Sequence, residues 1–279
     1  MPSPSRTTEV RTMFEITRYE FDRRVKGAVV LAVLLAVMSF GIVALFPSIE
    51  TSGADLEAYW QSLPPAMKAA FGASGGAFSL TTMEGFLAVE LYQFFWLLLL
   101  GIYTAYIAGG LIAGDVERGR LDVLLATPVS RSKVIVEKFL SLIPTLIVLN
   151  VIVGAVVYVS VVAIGESVSL SDLVVAHLLS IPYLLACGAI GLLLSVVFDH
   201  ADVAQRGGLG AIFALFLLDS VASSADMGWL GAISPTHYYD PTAILVSGEY
   251  DWTGAVVLLA GIAVLVLVSR VIFQRKDIS

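Results

Sequence analysis

A few residues in this chain have types and spacings that could do chemistry. Asp199-His200-Ala201-Asp202 places two carboxylates and an imidazole within four residues, a donor set that suits a divalent cation or proton transfer. No second cluster at a fixed spacing completes a four-ligand shell, so a solvated loop or a contact with a partner fits the run better. Asp219 and His177 each interrupt a long apolar run. An ionisable group at such a place is a functional candidate by default, although Asp219 near the end of its run would simply reach water, and His177 reads as a packed histidine. Asn150 is placed to hydrogen-bond across a helix interface. His237, Tyr238, Tyr239 and Asp240 follow Pro235 and read as packing ahead of ligand binding. The lone cysteine, Cys187, excludes a disulfide framework and a thiolate cluster. No G-x-x-x-x-G-K-[ST] loop is present, and Gly207, Gly208 and Gly210 have no lysine after them. The chain therefore reads as no enzyme, with no catalytic, metal or cofactor set, and nothing points to nucleic acid.

The elements that hold these residues follow from composition. Of 279 residues, 58% are hydrophobic and 14% charged, and mean hydropathy is +0.89. Soluble domains carry about 25% charged residues, and a water-facing fold could not hide this much apolar surface. The reading is an all-α membrane protein. Crossing roughly 30 Å of hydrocarbon takes about 20 apolar residues at 1.5 Å each, and six stretches qualify: about 27–46, 86–113, 139–165, 173–198, 207–225 and 252–272. They are apolar on every face, as lipid requires. Pro144 and Pro182 are expected to kink their spans and not to break them. Residues 1–26 form a polar lead-in with no signal-peptide pattern, and 274–279 a short tail.

Charge orients the bundle. On this map fifteen of the sixteen Lys and Arg lie on one side, and only Lys68 lies on the other. By the positive-inside rule both termini are cytoplasmic and the protein is a multi-pass protein of the cell membrane. Ten acids, from Glu50 to Asp251, fall outside. The outer segments hold an amphipathic piece, Leu56 to Phe71, and the aromatics Trp229, Tyr238, Tyr239, Tyr250 and Trp252, which read as interfacial anchors.

Two inner segments carry more pattern than a connection needs. From Glu9 to Val25 apolar residues recur at near-helical spacing, as in a helix lying in the interface. From Gly114 to Lys138, Leu121, Leu124 and Leu125 form one apolar stripe, Gly119 precedes it, Pro128 ends it, and Ser130 can cap the helix that follows. Leucines presented among charges outside the membrane need an apolar partner to dock against.

Glu117, Gly119, Leu121, Leu124, Leu125, Pro128, Ser130 and Arg131 read E-x-G-x-L-x-x-L-L-x-x-P-x-S-R. With the six-span plan, the lead-in helix and the Phe273–Asp277 ending, this resembles the permeases of the type-2 ABC exporters. The resemblance covers the whole chain in layout and about fifteen residues in detail. It implies that Glu117 to Arg131 form a coupling helix seated in a cleft of a separate ATPase subunit, which binds the ATP. It also implies that the chain works as a homodimer or beside a similar permease. Arg120 departs from the small residue of many relatives and leaves the helix start less well capped. Asp219 and Asn150 are the candidate pathway residues. A secondary transporter or channel is the alternative, although no internal repeat is visible. A membrane-embedded enzyme would need paired acids or histidines, which only the Asp199–Asp202 run suggests. Spans of Leu, Val, Ala and Gly suit an amphipathic or lipid-like cargo, but the same residues also simply make spans.

Overall fold

The computed structural model describes residues 15–51, 58–59, 61–64, 67, 81–126, 129–225 and 227–276. Among them every regular element is helical, and six helices are long and apolar enough to cross a membrane. These are α1 (Glu15–Thr51), α2 (Met83–Gly109), α5 (Arg131–Ala163), α6 (Leu170–Val197), α7 (Ala201–Ser224) and α10 (Trp252–Arg275). Two short helices, α3 (Ala113–Glu117) and α4 (Arg120–Leu125), join α2 to α5. Between α7 and α10 lie α8 (Gly228–Gly231), a 3-10 turn at Pro235–Tyr238 and α9 (Pro241–Ser247).

The sequence-based spans differ from these helices at their ends. The lead-in is helical from Glu15 but runs without a break into the first span, giving one helix of 37 residues, about 55 Å at 1.5 Å per residue. Its first turns form a stalk packed on the start of α5 through Ile16, Thr17 and Glu20, where a separate interfacial helix was expected. Residues 9–14 of that expected helix lie outside the described residues, as do Pro128, Asp277 and most of the 56–71 piece. α7 begins at Ala201, six residues before the expected fifth span: Asp202 and Arg206 stand exposed in its first turns, paired at 2.9 Å, and Glu117 accepts from the Ala201 amide. Asp219 then falls in the last two turns of α7. Pro182 lies inside an unbroken α6. Pro144 lies in the first turn after a break at Ser141, where its missing N–H costs little.

Helices in lipid gain nothing from hiding apolar surface, so small residues and polar bonds hold them together. The central pair is α2 and α6, whose buried face carries Tyr92, Trp96 and Tyr183. The backbone of Ala105 in α2 lies so close to Gly191 in α6 that a Cβ there would collide with the Ala105 carbonyl oxygen, and Gly208 in α7 approaches the same carbonyl. Around this seam α1, α7 and α10 turn Val30, Val37, Val221 and Leu259 outward, the surface a bilayer covers. Residues Leu87–Leu100 of α2 are π-helical, a form that recurs at functional sites, and the Tyr183 hydroxyl donates to the Leu97 carbonyl inside it at 2.7 Å.

The ends of the bundle are chemically opposite. Arg23, Arg24, Arg118, Arg131, Lys138, Arg206 and Lys276 gather at one, the basic end, and Glu84, Glu166, Asp172, Glu249 and Asp251 at the other, the acidic end. The aromatics of the acidic end divide. Trp229, Tyr250 and Trp252 are exposed, as anchors would be. Tyr239 is buried, stacked on Tyr183 at 5.4 Å with its hydroxyl donating to the Ala176 carbonyl, so it is a core residue.

Candidate functional site

The basic end is built on an ionic cluster. Lys138 lies where α5 leaves the loop and enters the apolar region, and only 1% of it is exposed. Its ammonium donates to Glu20 of α1 at 2.6 Å and to Asp115 of α3 at 2.5 Å. Arg24 approaches Glu20 at 3.3 Å and Arg120 meets Asp115 at 2.8 Å. Burying charge costs several kcal/mol per ion unless partners are well placed, and here each carboxylate has two. The neighbouring Glu137 accepts from the amides of Ile16 and Thr17 at 2.9 and 3.3 Å, and Thr17 donates back to the Glu137 carbonyl. The Glu137-Lys138 pair thus binds α1, α3 and α5 into one unit. Sequence reasoning missed this: Lys138 counted toward orientation and as the residue just before the third span, while the available signal was a Glu-Lys pair at the very edge of an uncharged run.

The coupling motif divides around this unit. Glu117 ends α3 and accepts from the Ala201 amide of α7 at 3.3 Å. Gly119 has φ of +63°, a left-handed turn that glycine adopts without strain, and it aims α4 back over the bundle. Leu121 is buried and Leu124 half-buried, both against the chain's own core. Two of the three stripe leucines are therefore anchors, while Glu117, Arg118, Gly119 and Ala126 are exposed. The side chain of Leu125 and all of Pro128 lie outside the described residues. Ser130 caps α5, accepting from the Lys133 amide at 3.3 Å.

Arg131 clasps the other end of the chain. Its guanidinium donates to the carbonyls of Phe273 and Lys276 at 3.3 and 2.6 Å and lies 5.8 Å from the Phe273 ring, neutralising the negative end of α10. Lys276 in turn donates to the Val196 carbonyl at 2.8 Å and pairs with Asp199 at 2.7 Å. The Lys276 hydrogen bond holds the Asp199 carboxyl below the usual carboxylate range. Asp199 and Asp202 are thus each engaged by a cation, and no metal-binding group of three side chains exists among the described residues.

A second polar set lies within the spans. Asn150 of α5 accepts from the Ser180 hydroxyl at 2.8 Å, pairs with His177 Nδ1 at 2.9 Å, and donates to the Leu146 carbonyl. His177 Nε2 meets the Tyr92 hydroxyl at 2.8 Å. One chain of bonds therefore links α2, α5 and α6, and Asn150 and His177 also line an apolar cavity of about 340 Å³. Toward the acidic end, Asp219 accepts from Thr236 at 2.9 Å and faces His237 Nδ1 at 3.2 Å. It lines a polar cavity of about 190 Å³ with Gln93, Ser220, Ser223 and Asp240. Glu90, on the exposed side of the π-helical stretch, is an ionisable residue that sequence reasoning passed over because it precedes the uncharged run.

The family described as ABC-2 family transporter protein matches residues 14–278, nearly the whole chain. No curated protein matches the chain. Six apolar helices around a glycine-packed centre, with matched residues from the stalk of α1 to the tail beyond α10, lead to one conclusion: the chain belongs to the ABC-2 transporter family and is a multi-pass membrane permease.

Proposed function

We propose that this permease is the membrane-spanning subunit of an ATP-driven exporter and that a separate ATPase chain docks on its basic end, which faces the cytoplasm. The observation that carries the reading is the fixation of the loop. Asp115 at the root of the loop is bonded to Lys138 of the third span, which is bonded to Glu20 of the first. A push on α3 and α4 therefore moves α1 and α5 as a body. Leu121 and Leu124 are the anchors that carry load inward, and Glu117, Gly119, Leu125, Pro128 and the exposed tip at Ala126 form the contact. Arg131 ties the same unit to α10. Export is favoured by the family resemblance alone, and a second permease copy, identical or similar, supplies the other half of the pathway. Within that pathway Asp219 is the polar station near the acidic end, and Asn150 with His177 holds the three helices that must shift.

The test is co-purification with the ATPase co-expressed beside this chain. Ala126→Asp with Leu125→Asp should abolish ATPase recovery while the permease still elutes as a folded particle. Undiminished recovery with these variants would overturn the docking assignment.

A further inference from the structure

We propose that the cavity at the basic end binds a phosphate oxyanion, and that its source is the headgroup of an anionic membrane phospholipid. The cavity, about 240 Å³, is lined by Arg23 and Arg24 of α1, Asp115 of α3, Arg118, Arg120 at the start of α4, and Gln205 of α7, with Gly110 beyond α2. Its charge is unbalanced. Lys138 and four arginines stand against Glu20 and Asp115, and a further carboxylate, Glu117, caps the Ala201 amide beside the cavity.

The pairing inside the cluster leaves donors over. Arg24 Nη1 and Arg120 Nε are buried and have no hydrogen-bond partner, against one acceptor of the cluster, Glu20 Oε2, in the same state; native structures rarely leave buried donors so without an ion or ligand. Arg23 and Arg118 are exposed and make no ion pair among the described residues. Guanidinium groups present planar forks that match phosphate oxygens two at a time, and an anion with several oxygens can satisfy more than one arginine at once.

Depth selects the source. Arg23 and Arg24 lie, with Lys26, just before the uncharged run of α1 that begins at Gly27, Gly110 follows the end of α2, and Gln205 lies in the second turn of α7. The cavity therefore sits at the membrane boundary, at headgroup level, where basic pockets between spans receive anionic lipid. Its apolar wall, Ile107, offers no aromatic face on which a nucleotide base could stack.

The experiment uses the isolated chain, so its failure leaves the ATPase-docking proposal untouched. The purified permease is placed in nanodiscs of phosphatidylcholine mixed with phosphatidylglycerol, extracted into detergent, and the retained lipid measured by mass spectrometry. Wild type should retain phosphatidylglycerol over phosphatidylcholine, and Arg23→Gln with Arg118→Gln should reduce that preference roughly tenfold with an unchanged melting temperature. No preference in wild type, or an equal preference in the double variant, overturns the proposal. If millimolar inorganic phosphate raises the melting temperature of lipid-free wild type but not of the variant, and phosphatidylglycerol is not retained, the oxyanion site stands and the lipid source is overturned.

Discussion

Lys138 and Asp115, 23 positions apart in sequence, meet at 2.5 Å, both buried, with Glu20 of the first helix closing the triangle on the lysine at 2.6 Å. This contact makes the loop between the second and third spans part of the bundle. Its geometry sets the first prediction. Lys138→Met leaves two buried carboxylates short of a cation, which should cost about 3–5 kcal/mol and lower the melting temperature in detergent. Adding Glu20→Gln and Asp115→Asn to the same variant should recover most of the loss. A single variant that melts like wild type would show that the cluster holds nothing together.

Gly119 fixes where α4 points. A side chain at φ of +63° costs on the order of 1–2 kcal/mol, and nothing packs near enough to add a steric penalty. Gly119→Ala should therefore leave the spans folded but weaken ATPase recovery in pull-down. Gly119→Asn, which tolerates the left-handed region better, should be milder. Equal recovery for all three would contradict an aiming role for the turn.

How much of this was legible beforehand depended on the kind of signal. Six spans are written in long, predominantly apolar runs that can cross lipid, and Ser130 as a cap follows from its place before a helical run. The membrane sets the first and local backbone chemistry the second, so neither needs tertiary knowledge. Leu121 was misleading for the opposite reason. A leucine stripe shows that a face must be covered, and the sequence does not say that the chain's own core covers most of it. The Lys138 cluster and the Asn150–His177–Tyr92 chain join residues up to 118 and 85 positions apart, and no periodicity marks such pairs. Tyr239 carried two readings, an anchor because aromatic residues at span ends usually are and a packing residue after Pro235; its burial and stacking on Tyr183 fit the second and depend on the segment folding back.

The tail clasp should be pH-dependent. Lys276 lowers the pKa of Asp199 in the folded chain, so the folded state binds this proton less readily than the unfolded one. The stabilisation is then complete above the usual aspartate range, near about 3.9, and is lost as pH falls through the lowered folded value. Limited proteolysis at the C-terminus should be unchanged from neutral pH down to about 5 and should accelerate only under stronger acid. Lys276→Gln should be cut faster at neutral pH; an equally resistant variant would remove the clasp from the account.

Asp219 can be tested without knowing the cargo. Asp219→Asn keeps an acceptor for Thr236 and removes the charge from the polar cavity. Melting should change little, whereas ATP hydrolysis by the reconstituted permease–ATPase pair in lipid should fall severalfold if the cavity lies on the path. Unchanged hydrolysis would reduce Asp219 to a water-facing end of its helix.

Sidedness bears most directly on the whole reading, because an ATPase can dock only where ATP is. Cys187 is fully buried, so single cysteines can be introduced against a silent background. Ser223→Cys at the acidic end and Ala126→Cys at the loop tip, both exposed positions, are treated in intact cells with a membrane-impermeant thiol reagent. The account predicts labelling of Ser223→Cys in intact cells and of Ala126→Cys only after permeabilisation. Labelling of Ala126→Cys in intact cells would contradict it.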